Sequence, residues 1–96
     1  MKYYKLNEDG SVSPTDDVNE VFGLNVNRKI AADIVGESTV STVFLGMDHG
    51  FGNYRDPVLF ETMVFDGPMN MEMERYTSKE DAIIGHAKMV EKVRNL

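Results

Sequence analysis

The chain contains no cysteine. That excludes disulfides, thiolate metal sites and a cysteine nucleophile. No stretch approaches the roughly 20 apolar residues of a membrane span. The N-terminal MKYYKLNEDG (1–10) lacks an apolar signal core. These absences suit a cytoplasmic protein with no membrane role. Basic residues number only 10 against 16 acids, for a net charge of −6, and the Lys and Arg are scattered. Gripping a phosphate backbone requires clustered cations, so no direct nucleic-acid binding is expected. An acidic chain can instead meet a basic protein or imitate DNA, but this excess is mild for mimicry. There is also no repeat, linker or low-complexity segment.

What is present is an ordinary globular composition: 42% hydrophobic and 27% charged. Ninety-six residues make a single domain, 1–96. A chain of this size buries roughly 60–65% of its unfolded surface. Oligomerisation, most simply a homo-dimer, is a natural supplement.

KYYKL (2–6) is a short strand candidate, followed by a turn at Asn7 to Gly10. Ser13-Pro14-Thr15-Asp16 reads as a helix start, with Pro14 at the first helical position and Val18, Val21 and Phe22 on one face. KIAADIV (29–35) and TVSTVFLG (39–46) read as strands, with Gly36 placed for a type II′ turn. VLFETMVF (58–65) is the strongest strand. It is apolar on both faces, which predicts cover on both sides, from the short helix or a second subunit. Asp66-Gly67-Pro68 is a turn. Met69 to Tyr76 reads as a further strand with Met69, Met71 and Met73 on one face, either core or a partner surface. Thr77 with Glu80 three residues on is a capping box. The helix that follows, from about Ser78 to Arg94, puts Ala82, Ile83, His86, Ala87, Met89, Val90 and Val93 on one stripe. The expected fold is therefore α+β: an antiparallel β-meander of about four to five strands, a C-terminal helix packed on one face and a short N-terminal helix.

GMDHGFGNYRDP (46–57) is longer than a hairpin needs, and long loops carry function. Its glycines match no phosphate-binding fingerprint. Asp48 and His49 can present polar groups there. Arg55 can hold a phosphate or carboxylate or pair with Asp56, and Phe51 or Tyr54 can stack on a base or pack the loop. Glu61 shares a face with Leu59, Met63 and Phe65, so it needs a partner. Either Arg75 on the adjoining strand supplies it, or Glu61 serves as a base or ligand contact. His86 in the helix stripe is either a core histidine with one partner or an acid–base group. Asp48, His49, Glu61 and His86 include the ligand types of a zinc, iron or manganese site, but no signature spacing joins them. No metal and no cofactor are therefore expected. There is no G-x-S-x-G elbow either.

TVFLGMDHGFG (42–52), PVLFETMVFDGP (57–68) and ERYTSKEDAIIGHAKMVEKV (74–93) together resemble a group of small proteins encoded by tailed bacteriophages and prophages. The likeness covers about the C-terminal 55 residues and includes Asp48, His49, Phe51, Gly52, Glu61, Arg75, Tyr76 and His86. In place of a Gly-Gly pair before Pro68 the chain has Asp66-Gly67, which affects only the turn. The resemblance implies a phage protein in the host cytoplasm, and it implies no particular activity. The leading expectation is a binding protein that sequesters a small, nucleotide-like ligand or blocks a host protein, in counter-defence. Its contacts would come from Asp48, His49, Phe51, Tyr54, Arg55, Glu61, Arg75, Tyr76 and His86. Two alternatives stand beside it: a small hydrolase, metal-assisted or not, using His49, His86 and Glu61, and a structural or assembly accessory.

Overall fold

A computed structural model describes residues 3–50, 52 and 55–96. The chain begins with a hairpin of β1 (Tyr3–Leu6) and β2 (Val12–Thr15). Gly10 turns it at φ +90°, and the Asp9 carboxylate accepts from the Ser11 N–H at 2.9 Å. The helix expected from Ser13-Pro14 is therefore a strand at that point. Pro14 lies on an outer strand, where its missing N–H leaves no ladder bond unmade. Helix α1 begins only at Asn19 and ends at Phe22. It buries Val21, while Val18 and Phe22 stay exposed. Val21 packs where a Cβ on Gly46 would overlap it, and Gly46 sits at φ +79°.

Four antiparallel strands follow as a meander: β3 (Lys29–Val35), β4 (Ser38–Phe44), β5 (Phe60–Phe65) and β6 (Met73–Tyr76). The β3–β4 turn has Gly36 at φ +61°, and Glu37 is not among the positive-φ residues, the pattern of a type II′ turn. Residues 66–72 form a wider connection in which Asp66 and Met71 both take positive φ. This corrects the expected Met69–Tyr76 strand. Met69 packs towards the core, Met71 is exposed and Met73 lies on the sheet, so the three methionines do not share a face.

Helix α2 (Lys79–Arg94) lies across the sheet and touches all four strands. Its cap is Ser78, whose Oγ accepts from the Asp81 N–H at 3.1 Å, one residue later than the Thr77 box predicts. Asp81 then occupies the third helical position, where a carboxylate favours the helix dipole. Ala82, His86, Met89, Val90 and Val93 are buried as expected, but Ile83 and Ala87 are exposed.

The core lies against one sheet face, beneath α2 and, at one end, beside α1 and the β1–β2 hairpin. Phe44, Leu59, Phe60, Val21 and Ala82 form one cluster, joined by the β1–β2 hairpin. Val40, Val64, Met89, Val90 and Val93 form the other. Strand alternation points Glu61, Met63 and Phe65 away from both. Among the described residues of one copy, no helix covers the second face of β5: the short helix expected there packs Val21 into the first cluster instead. No described helix is long and apolar enough to cross a membrane.

Candidate functional site

Each candidate side chain acquires its surroundings from the strand or helix that carries it. His86 sits where α2 crosses β4 and β5. Its Nδ1 lies 2.7 Å from Thr42 Oγ1, and its Nε2 lies 2.7 Å from Asp33 Oδ2 on β3. Thr42 and Thr62 pair across the strands, Oγ1 to Oγ1 at 2.5 Å. An ionised carboxylate only accepts, so Nε2–H donates to Asp33. In the neutral ring Nδ1 then accepts from the Thr42 hydroxyl, which itself accepts from Thr62. The order hydroxyl, imidazole, carboxylate matches that of a hydrolytic triad. Yet Thr42 and Thr62 are both 0% exposed, so no substrate reaches either hydroxyl. The array satisfies polar groups beneath the helix, and no described buried side-chain donor or acceptor is left unpartnered.

Glu61 lies on the opposite face. Its Oε2 accepts from Arg75 Nε at 3.0 Å across the β5–β6 ladder. The sheet therefore stands between Glu61 and His86. Among the described residues no three His, Asp or Glu side chains gather to hold a metal ion.

Asp48 organises the loop after β4. Its carboxylate accepts from the N–H groups of Gly50 at 2.8 Å, Val58 at 2.9 Å and Gly52 at 3.3 Å. The Val58 and Gly50 bonds, in that order, hold its carboxyl below the usual carboxylate range. His49 pins the same loop: its Nδ1–H donates to the Met47 carbonyl at 2.9 Å. Arg55 is exposed. Phe51 and Tyr54 lie outside the described residues.

A groove of about 640 Å³ lies between β6 and α2. His49, Arg75 and Tyr76 line it, three of the residues expected to bind a ligand. Asp48, Glu61 and His86 do not line it. The sequence reading missed most of the remaining wall. Val58, Ile84 and Met89 supply apolar surface, Lys88 and Lys92 supply cations, and Glu74 and Asp81 supply acids. Lys88 and Lys92 read as plain solvent-facing helix residues. The available signal was Ile84, an apolar residue off the main stripe, beside Gly85 in mid-helix. Gly85 lets the Tyr76 ring lie directly on the helix backbone, because a Cβ there would overlap the ring. Among the described residues, neither hydroxyl of the groove wall, Tyr76 or Thr77, is hydrogen-bonded to a histidine or carboxylate.

Comparison with protein-family models, with curated proteins and with solved structures finds no match to this chain.

Proposed function

We propose that this chain is a small binding protein that holds an anionic, nucleotide-like ligand in the groove between β6 and α2. The observation that carries this reading is the groove's composition. On a chain of net charge −6, the groove wall carries Arg75, Lys88 and Lys92 against Glu74 and Asp81, beside the Tyr76 ring and an apolar floor; Arg75 is paired with Glu61 and Lys92 with Glu72. Cations suit a phosphate or carboxylate, and a ring with apolar neighbours suits a flat base. Lys88 has no ion-pair partner among the described residues. The separation of His49, Glu61 and His86 favours binding over hydrolysis, which would need them together. The resemblance to phage-encoded proteins supports a host-cytoplasmic setting and sequestration in counter-defence.

Native mass spectrometry of the protein isolated from its infected host, followed by thermal shift with a nucleotide panel, tests this. The expected result is an added mass lost on denaturation and a melting temperature that rises with a nucleotide. At 100 times Kd the stabilisation is about 2.7 kcal/mol. Lys88→Glu should abolish the shift and leave the fold intact. An unliganded mass with no shift from any nucleotide refutes the reading.

A further inference from the structure

We infer that the open face of the four-stranded sheet is the interface of a homodimer, with a second copy of this chain as its occupant. The face is defined by register. Ile34 on β3, Val43 on β4, Met63 and Phe65 on β5 and Met73 on β6 all point away from α2. Three of these carry large exposed apolar surface: Ile34 is 82% exposed, Phe65 44% and Met73 40%. Met63, Phe65 and Met73 are neighbours on β5 and β6, and Thr39 and Ser41 of β4 stand between them and Ile34. Single exposed apolar residues are ordinary, but several on one flat sheet face make an interaction surface.

Area and charge select the occupant. Strands of six to seven residues, at about 3.4 Å per residue and about 4.8 Å between strands, cover roughly 400 Å² in projection. Side-chain relief adds to that projection, which brings the face towards the roughly 800 Å² per partner of a standard interface. That exceeds what a small molecule covers, and its flatness suits a second sheet packed about 10 Å away. The acidic excess of the chain lies elsewhere. On this face Glu61 is paired with Arg75, and Lys29 stands at one corner opposite Val43. A strongly basic partner finds little negative charge here. A second copy brings the same adjacent acid and base, so each Glu61 can meet the other copy's Arg75. Two-fold contacts are self-complementary in this way. The dimer also supplies the burial that a chain of this size lacks. The ligand groove shares Arg75 with this face, but Phe65 and Ile34, the positions substituted below, do not line the groove.

Sedimentation equilibrium and native mass spectrometry over about 1–300 µM test it, alongside circular dichroism. The wild type should sediment at twice the chain mass, and its melting temperature should rise with concentration. Phe65→Glu should shift it to the monomer, with at least a tenfold loss of self-association. Ile34→Lys, at the most exposed position on the face, should do the same and guards against a folding defect in the first variant. A wild type that stays monomeric throughout overturns the proposal, as does a dimer that both variants leave intact. A wild type that is monomeric alone but is recovered with a different protein on this face also overturns it.

Discussion

Beneath α2 the sheet buries Ser38, Thr42 and Thr62 with His86 above them, whereas the opposite face presents Ile34, Met63, Phe65 and Met73 with no described element over it. Hydropathy alone would have assigned the two faces the other way in their middle rows. The covered face is apolar at its ends, with Phe44 and Phe60 at one and Val40 and Val64 at the other. Between them lies a polar row that is tolerated because every member has a partner. The open face has the opposite difficulty. Its apolar groups need no hydrogen bonds, but no described element of one copy removes them from water. Burial in this fold follows polar satisfaction and the presence of a covering element, in addition to side-chain hydropathy.

Substitution separates the two faces. Phe60→Ala on the covered face should cost about 3–5 kcal/mol in thermal or denaturant unfolding, because it leaves a cavity in a small core. Phe65→Ala on the open face, measured dilute enough to be monomeric, should cost less than about 1 kcal/mol. Equal costs would mean that the second face is packed after all.

The polar row gives the next largest effect. Thr42→Val should cost about 1–3 kcal/mol, because it strands the Thr62 hydroxyl and His86 Nδ1 in the interior. Converting Thr42 and Thr62 to Val with His86 to Leu should cost less than the sum of the single changes. Additive losses would show that the row is three separate contacts.

Gly85→Ala comes third. The new methyl overlaps Tyr76, and overpacking costs about 1–3 kcal/mol. In a Tyr76→Ala background the same change should be neutral or stabilising by up to about 1 kcal/mol, since Ala favours helix over Gly. A deficit that persists there would place the strain elsewhere than the groove wall.

Acid separates Asp48 from the buried row. Its folded pKa lies below the ordinary carboxyl value of 3.8, so its contribution is complete above about pH 4. It is lost as the pH falls through the lower folded value. Asp48→Ala should therefore melt below the wild type at pH 6, with a smaller gap at pH 3. A gap that does not narrow would mean that the loop does not depend on the carboxylate's charge.

The smallest effect belongs to the Glu61–Arg75 pair. Reversing either charge should cost no more than about 1 kcal/mol, and reversing both should recover part of that, because Arg75 is substantially exposed.

Much of this architecture was legible in the chain. The strands at 29–35 and 58–65 stood out by β-branched and apolar content, α2 by its period and cap, and the Glu61–Arg75 pair by the need of a carboxylate among apolar neighbours. The misreadings came from residues whose local preferences allow two outcomes. Pro14 suits the first turn of a helix and an outer strand equally, and β1 decided between them. Met69 to Met73 alternate like a strand, but Asp66 and Met71 at positive φ bend the chain out of the ladder. The candidate site was the least legible part. His49, Arg75 and Tyr76 were identifiable as polar or aromatic oddities, whereas Lys88 and Ile84 acquire meaning only from the strand that faces them.

By itself, then, the sequence determined the α+β class, the order of the sheet strands, the C-terminal helix and which side chains were chemically conspicuous. Local propensity and hydrophobic period act over a few residues, and that is enough for those features. Only the tertiary structure decided that His86 meets Thr42 and Asp33, that Glu61 stands across the sheet from it, and that Arg75 and Tyr76 share a groove with Lys88. Those relations join residues far apart along the chain. They depend on strand register and on which face α2 covers, where a shift of one residue would turn every side chain of a strand to the other side.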